Sequence, residues 1–360
     1  MKPLLFLAAG LALFLHSAAA ESPAPLPPYR PEQQVRGTIR NFGSGFYGLI
    51  KRWEDGFLKY QPEIKFGDDL PSSDAAMAGL IKGDADLAPS GRELSLDEYL
   101  GFYEATGHNP LEITVGTGTY DVPGGSWGIV VFVAQDNPIR RLTLKQLDGI
   151  FGSERTGAYS GFKWMPQKAR GPEGDLRTWG QLGLTGAWAD HPIQTYGYAP
   201  SGMSAFFQLK VFQGGDKWNP NYREYIENGT KIMSAGEAGA RGGVLRMLAE
   251  LAQNPYGIGW AGMPQFEAAK VPGLRALALS EKDGGPYVPP SKETMADRSY
   301  PLARSVYVYL NRPPGLPLDP KLREFLRFIL SREGQQILAA HGTYLPLTAA
   351  AVQEQRAKLE

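Results

Sequence analysis

Residues 305–339, SVYVYLNRPPGLPLDPKLREFLRFILSREGQQILA, combine an apolar strand with a helix that has one apolar face. The strand is predicted over residues 305–311 and the helix over residues 321–339. Leu322, Leu326, Ile329 and Ile337 form the apolar stripe of this helix. Because such a stripe is stable only when another element covers it, this segment predicts a helix that packs on a sheet.

Strands and helices alternate along the rest of the chain. A strand predicted over residues 35–41 is followed by a glycine turn and a helix, whose apolar stripe is Leu49, Ile50, Trp53, Phe57 and Leu58. Further signals are a short helix over 72–83, a strand over 86–88, and capping boxes at Ser95 with Glu98 and at Thr143 with Gln146. Residues 129–134 are a continuous apolar run, typical of a buried parallel strand. This alternation predicts α/β architecture with sheets rich in parallel strands.

The predicted strands over 129–134 and 305–311 enclose a middle region with its own strands, glycine turns and helices. We therefore expect two lobes joined by a hinge of two chain crossings. Residues 35–128 plus 300–360 form lobe 1 in this prediction, and residues 129–299 form lobe 2.

The N-terminus has the pattern of a secretory signal peptide over residues 1–20. Lys2 precedes an uncharged apolar run over residues 4–15, and Ala18 and Ala20 mark a cleavage site. We expect cleavage near Ala20 and a soluble periplasmic protein. Residues 21–34, rich in proline, are predicted to be an extended leader.

Composition excludes several classes of protein. Cysteine is absent, which excludes disulfides, cysteine nucleophiles and thiolate metal sites. Lys plus Arg and Asp plus Glu both number 37, so no overall charge attracts nucleic acid. The histidines beyond the leader, His108, His191 and His341, are scattered, and no hydrolase or metalloprotease motif occurs. We expect no enzymatic activity, no cofactor and no metal.

Glycine-serine turns at predicted helix starts are the candidate ligand site. In open α/β sheets the ligand lies beyond the carboxyl ends of the strands, where backbone N–H groups at helix starts favour an anion. Arg92 adds a guanidinium that can bind an oxyanion through two parallel hydrogen bonds, and it is the only nearby cation that the sequence places there. The candidate residues are Ser44, Gly45, Phe46, Ser72, Ser73, Arg92, Ser201, Gly202 and Met203.

Seven segments, in this order, resemble the successive blocks of periplasmic phosphate-binding proteins of ABC importers. They are GSGFYGLIKRW (43–53), SSDAAMAGLIKGDADLAPSGREL (72–94), WGIVVFVAQDNPIRRLTLKQLDGIFG (127–152), APSGMSAFF (199–207), NPYGIGW (254–260), YPLARSVYVYLNRPPG (300–315) and FLRFILSREGQQILAAHGTYLPL (325–347). The resemblance implies a two-lobed type II periplasmic binding protein fold, a hinge that closes on the ligand, and delivery to the membrane subunits of an ABC importer. It implies a monomer that binds a small oxyanion, and phosphate is the first candidate for this ligand.

The resemblance also implies roles for single positions. Ser73 stands at the family's serine, and Phe46 at or next to a threonine-like position. Gly91 and Arg92 stand where some members have an acidic residue. Met203 replaces the threonine of a Ser-Gly-Thr turn, and Gly197 occupies the place of an arginine. With no carboxylate placed to accept the ligand's proton, we expect micromolar or weaker binding and little preference for phosphate over sulfate.

Three other functions remain open from the residues. In the first, a protein of the same fold binds another small anion or an organic ligand. In the second, the protein serves as a sensor or scaffold and does not take part in transport. The third is a dinucleotide-dependent oxidoreductase, because Gly43-x-Gly45-x-x-Gly48 matches the dinucleotide fingerprint. Export argues against the oxidoreductase, since it removes the chain from the cytoplasmic cofactor pool.

Overall fold

The computed structural model describes residues 25–122, 125–160, 163–226 and 243–360. The predicted signal peptide, residues 1–20, and the first four residues of the leader lie outside these ranges. Among the described residues, no helix is both long enough and apolar enough to cross a membrane.

The described residues contain fourteen strands. They are β1 (Gly37–Phe42), β2 (Ile64–Asp69), β3 (Ala88–Ser90), β4 (Leu111–Thr117), β5 (Ile129–Ala134), β6 (Arg141–Thr143), β7 (Ala158–Ser160), β8 (Lys163–Met165), β9 (Gln194–Tyr198), β10 (Arg223–Tyr225), β11 (Gly257–Gly262), β12 (Leu274–Ala276), β13 (Ala278–Ser280) and β14 (Ser305–Leu310).

The same ranges contain eleven α-helices. They are α1 (Leu49–Phe57), α2 (Ala76–Lys82), α3 (Leu96–Thr106), α4 (Leu144–Phe151), α5 (Gly202–Val211), α6 (Gly243–Ala252), α7 (Met263–Ala269), α8 (Lys292–Ala296), α9 (Pro320–Ile329), α10 (Arg332–His341) and α11 (Ala349–Ala357). Short 3₁₀ turns at Phe46–Gly48 and Ser73–Ala75 precede α1 and α2.

The last strand of the chain lies among strands from its first third. Strand β14 pairs antiparallel with both β3 and β4, while β1 and β2 form a separate parallel pair. Helices α9 and α10 pack on α1, where the Trp53 indole donates a hydrogen bond to the Gly334 carbonyl oxygen at 2.8 Å. One core, which includes Ile39, Phe57 and Val308, fills the space between these elements.

The middle of the chain builds a five-stranded sheet in the order β10-β9-β11-β5-β12. All six residues of β5 are buried, as the apolar run predicts. The expectation that β5 is parallel is wrong, because it runs antiparallel to both β11 and β12. A strand covered on both faces is apolar throughout whichever way its neighbours run, so the pattern does not encode direction. A second core, which includes Val131, Phe207 and Trp260, covers this sheet.

Several predicted boundaries differ from the structure. The predicted helix over 321–339 is two helices, α9 and α10, because Ser331 caps a new helix: its hydroxyl accepts from the Gly334 amide at 3.2 Å and donates to the Phe328 carbonyl at 2.6 Å. The strand predicted over 86–88 lies at Ala88–Ser90. Both predicted capping boxes, at Ser95 and at Thr143, are confirmed.

Two chain crossings run side by side between the sheets. The Gly118 amide donates to the Arg304 carbonyl oxygen at 2.8 Å, and the Ile129 amide donates to the Leu302 carbonyl oxygen at 3.0 Å. The lobe boundaries at 128/129 and 299/300 stay a prediction. Within the predicted leader, Tyr29 is already buried, and its hydroxyl donates to Glu324 at 2.7 Å.

Candidate functional site

A cavity of about 970 Å³, the interlobe cavity, lies between the segments around the sheet of β3, β14 and β4 and the segments around the five-stranded sheet. Its walls come from the turns before α1, α2 and α5, the end of β3, and the two crossings. All nine residues predicted from the sequence line this cavity: Ser44, Gly45, Phe46, Ser72, Ser73, Arg92, Ser201, Gly202 and Met203. The turns that are far apart in sequence therefore meet around one space.

The turn before α1 presents its backbone to the cavity. The Phe46 side chain is fully buried and packs edge-on against Trp53 and Tyr344, so it cannot reach a ligand. Phe46 and Tyr47 have φ of 47° and 58°, a left-handed conformation that costs about 1 kcal/mol or more per residue outside glycine. The His341 ring contacts the Tyr47 carbonyl through Nε2 at 3.1 Å. Strain of this kind is typical of functional turns that the surrounding structure holds in place.

Three hydroxyl groups surround a small space beside Gly91. A Cβ at Gly91 would lie 3.0 Å from the Ser126 Oγ, 3.6 Å from the Ser73 Oγ and 3.9 Å from the Tyr344 hydroxyl. The Gly91 amide donates to the Ser73 Oγ at 2.9 Å, and the Ser126 hydroxyl donates to the Gly91 carbonyl. We call Ser73, Ser126 and Tyr344 the hydroxyl cluster. Ser72, next to it, is exposed at the cavity rim.

The turn before α5 contributes from the opposite side. Ser201 is the N-cap of α5, and its Oγ accepts from the Ser204 amide at 3.4 Å. The Gly202 and Met203 amides belong to the first helical turn, where N–H groups have no acceptor within the helix. A Cβ at Gly202 would lie 3.5 Å from the Arg92 Cδ, so the two sides of the cavity touch there.

All five N–H groups of the Arg92 guanidinium already have acceptors. Asp74 Oδ1 accepts from Nε at 2.9 Å and from Nη2 at 2.8 Å. Glu98 accepts from Nη1 at 2.7 Å and from Nη2 at 2.9 Å, and the Glu93 carbonyl accepts the fifth bond at 2.9 Å. Burial lowers the Arg92 pKa, but the bonds and charges of Glu98 and Asp74 outweigh burial and raise the pKa above its ordinary value. Two carboxylates therefore balance this cation before any ligand is considered.

A second arginine, which the sequence analysis missed, also lines the interlobe cavity. Arg304 precedes β14, and its side chain is 5% exposed. Its Nη2 donates to Glu93 at 2.9 Å, and its Nη1 lies 2.7 Å from the Met203 sulfur. The expectation that Arg92 is the only nearby cation is thus wrong. The sequence signal for Arg304 was its position just before the apolar run of β14. Arg304 does not lie at a predicted helix start, where the candidate residues were sought.

Two other expectations concern a carboxylate and the position of Gly197. Asp74 lines the cavity, where its Oδ1 accepts two hydrogen bonds from Arg92, and the expectation that no carboxylate accepts the ligand's proton stays a prediction. Gly197 has no room for an arginine, because a Cβ there would lie 2.2 Å from the Tyr222 hydroxyl and 2.4 Å from the Trp260 Nε1. Sequence reasoning also missed Ser126 and Tyr344, which stand outside helix starts. Among the described residues, no group of three or more His, Cys, Asp or Glu is placed to hold a metal.

Comparisons with known proteins agree with this architecture. Residues 31–333 match the model of the PBP superfamily domain. The phosphate-binding protein PstS of Pseudomonas aeruginosa strain PAO1 is 30% identical over 351 residues, which cover 97% of this chain and 94% of the relative. The phosphate-binding protein PstS of Staphylococcus epidermidis strain RP62A is 21% identical over 306 residues, covering 84% and 77% of the two chains.

Among solved structures, the crystal structure of PstS from Borrelia burgdorferi has a TM-score of 0.50 at 18% identity, covering 87% of this chain and all of that one. This likeness concerns the fold. Together with the three-stranded sheet of β3, β14 and β4, the five-stranded sheet and the two large separate cores, it confirms the predicted two-lobed α/β fold.

Proposed function

Since the chain belongs to the PBP superfamily, and within it to the family of the phosphate-binding proteins, we propose that it captures phosphate between its lobes and delivers it to an ABC importer. The observation that carries the proposal is that the predicted turns before α1, α2 and α5 meet around the interlobe cavity. The protein acts as a binding protein and not as an enzyme. It works in the periplasm as a monomer after removal of the signal peptide, residues 1–20.

The donors around the cavity suit an oxyanion. The hydroxyl cluster faces one small space. The Ser73 hydroxyl keeps a hydrogen to donate there because its oxygen accepts from the Gly91 amide, whereas the Ser126 hydrogen is already donated to the Gly91 carbonyl. The first turn of α5 adds backbone N–H groups at the positive end of the helix dipole. Donors that the fold holds in advance bind an anion without the cost of ordering them. This arrangement supports Ser44, Gly45, Phe46, Ser72, Ser73, Ser201, Gly202 and Met203 as ligand-lining residues.

The position of Arg92 supports a role in the same site other than direct contact with the ligand. Its guanidinium is held by Asp74 and Glu98, while its aliphatic portion meets Gly202 across the cavity. We propose that Arg92 closes the wall between the lobes. In that position it favours the arrangement in which both lobes contact one ligand.

The two hydrogen-bonded crossings support a hinge. They connect the sheets at Gly118–Arg304 and Ile129–Leu302, so a small change in their backbone angles moves one lobe relative to the other. Ligand contacts from both lobes, from Ser73 and from Ser201, would stabilise the closed arrangement.

Isothermal titration calorimetry of residues 21–360 tests the proposal. Phosphate is titrated at constant ionic strength, with sulfate and chloride titrated in parallel. We expect saturable heat for phosphate with a Kd in the micromolar range, about −8 kcal/mol in binding free energy. Chloride should give no saturable heat. Absence of heat with millimolar phosphate would overturn the proposed function.

A further inference from the structure

The Arg304 side chain combines deep burial with unused donors. It is 5% exposed, and its Nε has no hydrogen-bond partner among the described residues. A buried N–H group of a charged side chain is costly to leave unpaired. Because Arg304 lines the interlobe cavity, a ligand bound there would be placed to supply the missing acceptor.

A second Arg304 donor, Nη1, has only a weak acceptor, the sulfur of Met203. Arg304 Nη1 lies 2.7 Å from the Met203 sulfur, and a thioether is a weak acceptor. The Phe206 ring, 5.1 Å from the guanidinium carbon, adds a cation–π contact. Both partners belong to α5 in lobe 2, whereas Arg304 leads into β14 of lobe 1. An oxyanion is a far better acceptor than either of them.

One strong interaction holds the orientation of the guanidinium. Glu93 accepts from Arg304 Nη2 at 2.9 Å, and the Tyr307 hydroxyl donates to the other Glu93 oxygen at 3.0 Å. The Glu93 side chain is 11% exposed. This pair anchors one edge of the guanidinium and leaves Nε and Nη1 with weak or absent acceptors. In contrast, both edges of Arg92 are bound to carboxylates.

We infer that Arg304, and not Arg92, supplies the positive charge to the bound oxyanion, and that the Met203 thioether holds the place of a ligand oxygen. Ligand binding exchanges the weak sulfur contact for charge-assisted hydrogen bonds. Because Met203 and Arg304 lie in opposite lobes, replacing the sulfur contact by a ligand contact also changes the interactions between the lobes. This inference rests on the proposed function.

Calorimetry with phosphate on three variants tests the inference. Arg304→Gln removes the charge and should weaken binding about 10- to 100-fold, the loss expected for charge-assisted hydrogen bonds. Arg304→Lys keeps a charge beside Glu93 but lacks the planar fork, and should give an intermediate loss. Arg327→Gln is the matched control, because Arg327 is also a buried arginine paired with a glutamate, at 2.7 Å, but lies away from the cavity. It should leave phosphate affinity unchanged.

Loss of Arg304 also leaves the Glu93 carboxylate unpaired, which can impair folding. The double variant Glu93→Gln, Arg304→Gln removes both charges, so it serves if the single variant does not fold. It should show the same loss of affinity. Unfolding temperatures without ligand establish that each protein is folded at the titration temperature.

A spectroscopic measurement follows Met203 directly. In protein labelled with ¹³C at the methionine methyl groups, the Met203 signal, assigned through Met203→Leu, should move as phosphate is added. The same signal should stay in place with chloride.

The outcomes separate the two proposals. If wild-type protein gives no heat with phosphate, the proposed function and this inference both fail. If wild-type protein binds phosphate but Arg304→Gln binds within about threefold of it, or the Met203 signal does not move, only the role of Arg304 is overturned.

Discussion

The Gly91 amide donates a hydrogen bond to the Ser73 Oγ at 2.9 Å, which joins the end of β3 to the turn before α2. The bond occupies a lone pair of the Ser73 oxygen and leaves its hydrogen available. It therefore fixes the direction in which Ser73 can donate to a ligand. Gly91 allows this close approach because it has no side chain to fill the space within the hydroxyl cluster.

Gly91→Ala should weaken phosphate binding about tenfold or more. The added methyl would lie 3.0 Å from the Ser126 Oγ and 3.6 Å from the Ser73 Oγ, in the space that we assign to the ligand. Calorimetry measures the loss. Gly67→Ala in β2 is the control, because its nearest neighbour is 3.9 Å away. Equal affinities of Gly91→Ala and wild-type protein would contradict the placement of the ligand beside Gly91.

Substitutions of Ser201 should separate helix capping from ligand binding. Ser201→Ala removes the cap of α5 and should lower the free energy of unfolding by about 1 kcal/mol, besides weakening phosphate binding. Ser201→Asp keeps a good capping residue but places a negative charge at the site, so it should unfold like wild-type protein and fail to bind phosphate. Denaturant unfolding and calorimetry check both effects. Retained phosphate binding in Ser201→Asp would argue against a ligand near α5.

Asp148→Asn should destabilise the protein by about 3 kcal/mol or more without changing the ligand affinity of the folded protein. Asp148 is 5% exposed and accepts two hydrogen bonds from Arg155, at 2.7 and 2.8 Å. Breaking a buried pair leaves the arginine charge uncompensated. Asp283→Asn is the control, because its pair with Lys145 is exposed and should contribute under about 1 kcal/mol. Urea unfolding of the two variants with similar losses would refute the prediction.

Stability should fall as pH rises from about 4.5 to about 7, in part because of Glu54. Burial, together with the nearby charge of Asp68, raises the Glu54 pKa from 4.5 to about 7. A carboxyl with a raised folded pKa contributes its full stability below its unfolded pKa and loses it as pH rises through the folded value.

Glu54→Gln should therefore be more stable than wild-type protein at pH 8, by on the order of 2 kcal/mol, and similar to it near pH 4.5. Unfolding curves at both pH values measure the difference. Asp55→Asn, on the exposed side of the same helix, should follow the wild-type pH dependence. A Glu54→Gln protein that loses as much stability as wild-type between the two pH values would contradict this account.

The residues at helix starts were predictable because capping is local. Ser201 and Thr143 accept hydrogen bonds from amides three residues ahead, and their neighbours in sequence determine this. The same local logic found the turns at Ser44 and Ser73. It failed for Arg304, Ser126 and Tyr344, because nothing within a few residues of each one points to a shared space.

Strand direction and helix breaks show a similar limit. The apolar run of β5 predicted burial correctly, but its antiparallel partners come from residues more than a hundred positions later. The stripe over 321–339 predicted helical conformation correctly, while the cap at Ser331 depends on how its hydroxyl competes with the continuing helix.

By itself, the sequence determined the α/β class, the covered β14 strand and the turns that can face an anion, since periodicity and capping act over a few residues. Only the tertiary structure decided which charges meet. Arg92 and Arg304 both line the cavity, yet the fold pairs the first with two carboxylates and the second with one, Glu93, leaving its Nη1 beside a thioether and its Nε without a partner among the described residues. Charge balance inside a cavity depends on distances between residues from distant segments, and local sequence patterns carry no record of those distances.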